Sequence, residues 1–237
     1  MVHSIKQFYG DTLGALDGEI GHVKDFYFDD RSWALRYLVA DTGSWLTGRQ
    51  VLIAPHAFVR SDPSQRVLTV SLTRDQIENS PSIDTHKPVS RQYEEEYYRY
   101  YGWPSYWQGD ALWETSGSPI IEPPTSPRIN QDTTSDPQQR EPSETHLRSA
   151  HAVIGYHIQA SDGPIGHICD FLIDEDNWSI VEVVIKIGHR FSGIEVKLPT
   201  RSVVRISYED STVFLNVTKE TVEQSPAFQP APEIAAP

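Results

Sequence analysis

Cysteine is almost missing from this chain. Cys169 is the only one among 237 residues, so no disulfide can form within it, which fits a reducing, cytoplasmic compartment. Long apolar runs are missing too. No window approaches the roughly 18 apolar residues of a membrane helix, and the opening Met1-Val2-His3-Ser4-Ile5-Lys6 has no apolar core of a secretory signal. Membrane insertion is therefore not expected. Basic clusters are also lacking: 20 Lys and Arg face 33 Asp and Glu, for a net charge of −13. Such a field repels phosphate backbones, and nucleic acid is not expected as a partner. No strand–helix–strand alternation appears, which argues against a parallel sheet covered by helices.

What the chain does have is one stretch written twice. Asp17-Gly18-Glu19-Ile20-Gly21-His22-Val23-Lys24-Asp25-Phe26-Tyr27-Phe28-Asp29 returns as Asp162-Gly163-Pro164-Ile165-Gly166-His167-Ile168-Cys169-Asp170-Phe171-Leu172-Ile173-Asp174, at an offset of 145. The match continues through Trp33/Trp178, Leu35/Ile180, Val39/Val184, Gly43/Gly188 and Gly48/Gly193. After a one-residue indel at Pro55/Pro199, it resumes at Thr73/Thr218 and Pro81/Pro226. Such self-similarity is the mark of a duplicated domain. We divide the chain into repeat 1 (1–82), a linker (83–150), repeat 2 (151–228) and a loose tail (229–237).

Within repeat 1, residues 1–10 read as a lead-in. Short strands follow at Leu13–Leu16, Ile20–Asp29, Trp33–Asp41, Gln50–Ile53, Ala57–Arg60 and Arg66–Leu72, with turn signals between them. The parity of Val23 against Phe26 and Phe28 predicts a bulge near Lys24-Asp25. Thr73-Arg74-Asp75-Gln76 has capping-box spacing and predicts a short helix ending before Pro81. The fold expected is all-β, with two small six-stranded antiparallel barrels. In the linker, Tyr93, Tyr97, Tyr100 and Tyr101 share one helical face within an aromatic stretch, 90–113. Residues 114–150 are rich in Pro, Ser, Thr and Gln and are expected to lack regular structure.

The run from Gly21 to Asp30, the run Trp33-Ala34-Leu35-Arg36-Tyr37-Leu38-Val39-Ala40-Asp41-Thr42-Gly43-Ser44-Trp45-Leu46, and Val51-Leu52-Ile53-Ala54-Pro55 resemble the PRC-barrel family. The resemblance covers both repeats, and Pro88–Tyr93 with Tyr100–Pro104 resembles the linker of two-barrel members. It implies a six-stranded barrel used for docking, as in the cytoplasmic domain of the photosynthetic reaction-centre H subunit and the C-terminal domain of the ribosome maturation factor. Soluble bacterial two-barrel proteins are the most similar group. The function this implies is a non-enzymatic binding or scaffold protein, without catalytic residues, cofactor or metal. Its partner would be another protein or a second copy of the chain. A role beside the photosynthetic reaction centre is the alternative, weakened because this chain lacks the membrane helix of the H subunit.

Several constellations invite chemistry. Leu38-Val39-Ala40-Asp41-Thr42-Gly43-Ser44 matches an aspartic-protease loop, where paired carboxylates perturb each other. Repeat 2 offers Lys186-Ile187-Gly188-His189 there, so Asp41 has no internal partner and a hydrolase is the distant reading. His22 and His167 each precede an aspartate by three residues, Asp25 and Asp170, without the third ligand a metal needs. Asp29, Asp30, Asp174, Glu175 and Asp176 read as solvated turns. Trp45 and Leu46, with their repeat counterparts Arg190 and Phe191, form the candidate interaction surface.

Overall fold

The structure is a computed structural model, and it describes residues 1–46, 48–59, 65–81, 91–105, 147–188 and 193–229. The chain is mostly β. Its strands are β1 (Val2–Ser4), β2 (Thr12–Ala15), β3 (Gly18–Asp29), β4 (Leu35–Asp41), β5 (Gln50–Ile53), β6 (Val67–Thr69), β7 (Leu147–Ser149), β8 (His157–Ala160), β9 (Gly163–Asp174), β10 (Ser179–Ile187), β11 (Ile194–Pro199), β12 (Val203–Ser207) and β13 (Thr212–Leu215). Its α-helices are α1 (Arg74–Glu78), α2 (Arg91–Tyr101), α3 (Ala150–Val153) and α4 (Lys219–Glu223). Residues 1–88 and 146–237 form one compact unit, and 89–145 form another.

The duplication is visible in the hydrogen bonding. One sheet runs β5-β4-β3-β2-β6, the other β11-β10-β9-β8-β13-β12. In each, a meander is followed by a return strand that pairs in parallel: β6 on β2 and β13 on β8. A parallel pair needs a long crossover, which the intervening meander provides. Two points of the expectation are corrected here. The pairing is not wholly antiparallel, and among the described residues each path is open rather than closed on itself. Among the described residues, the repeat-1 counterpart of β12 shows as a bridge, Phe58 to Val70.

The expected bulge is present: the β3–β4 register slips between Val23 and Asp25, leaving Lys24 unpaired. In repeat 2 the slip falls at Cys169. The capping box also forms, with Gln76 N–H donating to Thr73 Oγ1 at 3.3 Å and Thr73 N–H to Gln76 Oε1 at 2.9 Å.

Residues 1–10 are not a lead-in. β1 is followed by a 3-10 turn, Ile5–Phe8, whose Ile5 is fully buried. Residues 147–150, expected to lack regular structure, instead form β7 and open α3. Residues 106–146 lie outside the described residues.

These two short strands are repeat equivalents, and each has crossed over. β1 pairs antiparallel with β9, placing Val2 opposite Asp174, His3 opposite Ile173 and Ser4 opposite Leu172. β7 pairs antiparallel with β3, placing Leu147 opposite Asp29, Arg148 opposite Phe28 and Ser149 opposite Tyr27. The two registers superpose residue for residue at the 145 offset. The long strands β3 and β9 are therefore shared. Along one edge, their first halves pair with β2 and β8 of their own repeat and their ends with the entering strand of the other.

The sequence pattern starts the third strand at Trp33, the repeat equivalent of Trp178. Both tryptophans sit in the preceding turns instead, with left-handed φ of 60° for Trp33 and 52° for Trp178, and both are half-buried. A bulky residue seldom adopts that region unless its surroundings hold it there. The hold is reciprocal: Leu35 N–H donates to the Trp178 carbonyl and Ile180 N–H to the Trp33 carbonyl, both at 2.8 Å. Around this crossing, Phe28 packs on Phe171 at 5.5 Å, and Trp178 packs on Phe58 at 4.6 Å between ring centres. The apolar core is continuous from one repeat into the other.

The second unit contains α2, as the tyrosine spacing predicts. Tyr97 meets Tyr93 at 6.1 Å and Tyr101 at 4.9 Å, and Tyr101 stacks on Trp103 at 4.6 Å.

Candidate functional site

The most organised polar arrangement among the described residues sits where the repeats cross. The bulge at Lys24 re-aims the next side chain, so Asp25 can reach the strand arriving from repeat 2. Its Oδ1 accepts N–H bonds from Phe26 at 2.7 Å and from His151 at 3.0 Å, and its Oδ2 accepts the Ser149 hydroxyl. The same set is built on the other side. Asp170 accepts the Phe171 N–H at 2.8 Å, the Ser4 hydroxyl and the Lys6 backbone N–H. Each carboxylate thus fixes a serine and the first turn after the entering strand of the opposite repeat. Close contacts flank the two locks in equivalent places: the Arg148–Asp30 ion pair at 2.6 Å, and His3 Nε2 lying 3.4 Å from Glu175 Oε2.

The locks are poorly solvated. Burial, which disfavours charge, is the largest influence on both Asp25 and Asp170 and pushes both above the usual carboxylate range, against the hydrogen bonds that favour ionisation. Burial, reinforced by these two carboxylates, also raises the Tyr9 phenol, whose oxygen is buried with no hydrogen-bond partner among the described residues. Burial pushes the Cys169 thiol up to about 12, so it is not a poised nucleophile.

A carboxyl group whose pKa is higher folded than unfolded adds stability at low pH, and this contribution is lost as pH rises through the folded value. The seam should therefore loosen from the ordinary carboxylate range upward. Asp29, held below that range against its own burial by N–H bonds from Ser32 and Arg31 and by Arg36, acts in the opposite sense. The comparison must accordingly be made between variants. The thermal midpoint of the Asp25→Asn/Asp170→Asn double variant, relative to that of wild type, should rise with pH across that window. Parallel pH curves would refute a titrating seam.

The sequence-predicted site residues fall elsewhere. Trp45 and Leu46 lie in the turn after β4, both half-buried. That turn is tied by Trp45 N–H to the Thr42 carbonyl at 3.1 Å, Arg49 N–H to Leu46 at 3.0 Å and Gly48 N–H to Gly43 at 2.6 Å. The Arg74 guanidinium, brought by α1, lies 4.6 Å above the Trp45 ring, a cation–π contact. Arg190 and Phe191 lie outside the described residues. Asp41 ends β4 and accepts the Gly43 N–H at 3.0 Å, the turn geometry favoured at such a strand end. Asp29 binds the N–H groups of Arg31 and Ser32 at 2.9 and 3.0 Å, and Asp174 that of Asp176 at 3.1 Å. These are turn contacts rather than a cation cage. Among the described residues there is no group of three metal-ligating side chains, and no helix is long and apolar enough to cross a membrane.

Ser4 and Ser149 were missed. The signal was available, because the 145 offset extends upstream to Ser4/Ser149 and Gly10/Gly155. No family model matches this chain, and comparison with curated proteins returns no match.

Proposed function

We propose that this is a non-enzymatic docking or scaffold protein of the cytoplasm, its two repeats being PRC-barrel-type modules that bind a protein partner. The observation that carries this reading is the turn holding Trp45 and Leu46. It is fixed by its own backbone hydrogen bonds and by Arg74, yet leaves two large apolar side chains half-exposed at the end of a sheet. An aromatic side chain held rigid at a surface loses little entropy on binding, which suits it to be an anchor. The polar groups that could suggest chemistry support the same view. Asp25, Asp170, Asp41 and Asp29 are each engaged by backbone N–H groups in structural roles. The net charge of −13 favours a partner with a basic rim, through a contact that weakens with salt.

The test is recovery of partners from the native host by the tagged chain and by its Trp45→Ala/Leu46→Ala variant. Loss of a central anchor costs about 2 kcal/mol or more, which is at least a tenfold drop in capture. Equal capture by both chains would move the docking surface elsewhere. Turnover of a hydrolase substrate that disappears with Asp41→Asn would replace the docking reading altogether.

A further inference from the structure

With β7 counted as the entering strand of repeat 2, every contact of the crossing described above joins a residue of repeat 1 to one of repeat 2. The set comprises β1 on β9, β7 on β3, Ser4 with Asp170, Ser149 with Asp25, Arg148 with Asp30, His3 with Glu175, and the two tryptophan carbonyls with Ile180 and Leu35. None of these involves residues 89–145, which form a separate unit. The contacts therefore define complementarity between repeats and do not require both repeats to belong to one molecule.

We propose that this seam also joins two copies of the chain, repeat 1 of each molecule seating on repeat 2 of the other. The occupant is specified by the chemistry of the seat. The end of β9 takes an extended strand carrying a serine, followed by a turn whose amide reaches the same aspartate. The chain carries that element at Val2–Phe8, and its equivalent at Leu147–Val153. A repeat from a second copy presents identical groups in identical register. Closed and exchanged forms then have the same contacts and differ in connection alone. Tethering raises the effective concentration of the cis partner. Exchange consequently grows with protein concentration during folding. This inference does not rest on the Trp45 surface, which lies outside the seam.

Charge reversal across one ion pair tests it with full-length chains. In Asp30→Arg, an arginine faces Arg148. In Arg148→Asp, an aspartate faces Asp30. Each chain alone carries like charges across its seam. In an exchanged pair of the two variants, one seam has the wild-type pair and the other its reverse, so both are satisfied. The variants, carrying different tags, are unfolded and refolded separately and as a mixture at high concentration. Species are then read by light scattering and by capture through one tag. The expected result is a mixed dimer of twice the 26.8 kDa chain. It should hold most of the refolded mixture and have a higher midpoint than either variant alone. Failure of the variants to fold separately leaves this readout intact, since rescue on mixing is what is measured. Two monomer populations with no mixed species, or a mixture no more stable than its components, would overturn the proposal. So would tagged wild-type copies that never exchange when refolded together at concentrations near the effective value.

Discussion

Replacing Asp25 by alanine should destabilise both repeats by about 3 kcal/mol. The carboxylate accepts the Phe26 and His151 N–H groups and the Ser149 hydroxyl. Its loss strands the part-buried Phe26 N–H and Ser149 hydroxyl, while the exposed His151 N–H can turn to water, and a buried unsatisfied group costs roughly 1–3 kcal/mol. Asp170→Ala should act likewise through Phe171, Lys6 and Ser4. The two losses together approach the stability of an ordinary domain, about 5–15 kcal/mol, and the double alanine variant should not fold at 37 °C. Asparagine is the control. Its carbonyl oxygen keeps both N–H bonds and its amide donates to the serine, so Asp25→Asn should stay within about 1 kcal/mol of wild type. Thermal unfolding of the three variants decides the matter. Equal midpoints for alanine and asparagine would mean that the carboxylate packs there without locking the strand.

The second large effect is expected at a pair of glycines. A methyl group added at Gly21 would come within 2.0 Å of the Asp41 carbonyl oxygen, and one at Gly166 within 2.2 Å of the Lys186 carbonyl oxygen. Both obstacles are backbone, so relief requires the neighbouring strand to move out of register. Gly21 also has a φ of +133°, which alanine rarely adopts. Gly21→Ala should therefore cost about 3 kcal/mol, the upper end of the usual overpacking range. In a unit of this size that lowers the midpoint by about 6–12 °C. Gly166→Ala meets the clash without the backbone penalty and should cost less. The reverse order of midpoints, or an unchanged Gly21→Ala, would show that β4 yields freely.

The duplication, the long strands, the bulge, the capping box and α2 were legible because they rest on local rules: alternation, turn chemistry and helical spacing. The glycine pair was visible as repetition, though the close approach it permits was not. The crossing of β1 and β7 was hidden for two physical reasons. A three-residue strand shows no measurable periodicity. Alternation also sets which face a side chain takes but not which repeat supplies the neighbouring strand. Asp25 and Asp170 stood out as equivalents and invited a metal reading with His22 and His167, because their true partners are serines 124 and 166 residues away. Trp33 and Trp178 were correctly seen as a pair. Their left-handed turns depend on bonds from the opposite repeat, which no local pattern records.

The central claim is that the two repeats stand or fall together, and amide hydrogen exchange in Asp25→Ala tests it most directly. The substituted residue lies in repeat 1. Protection should fall by a similar factor at Leu38–Ala40 in β4 and at Val183–Ile185 in β10, because opening one repeat removes the strand that the other borrows. Loss of protection in β4 with β10 unchanged would contradict the claim and restore two independent domains.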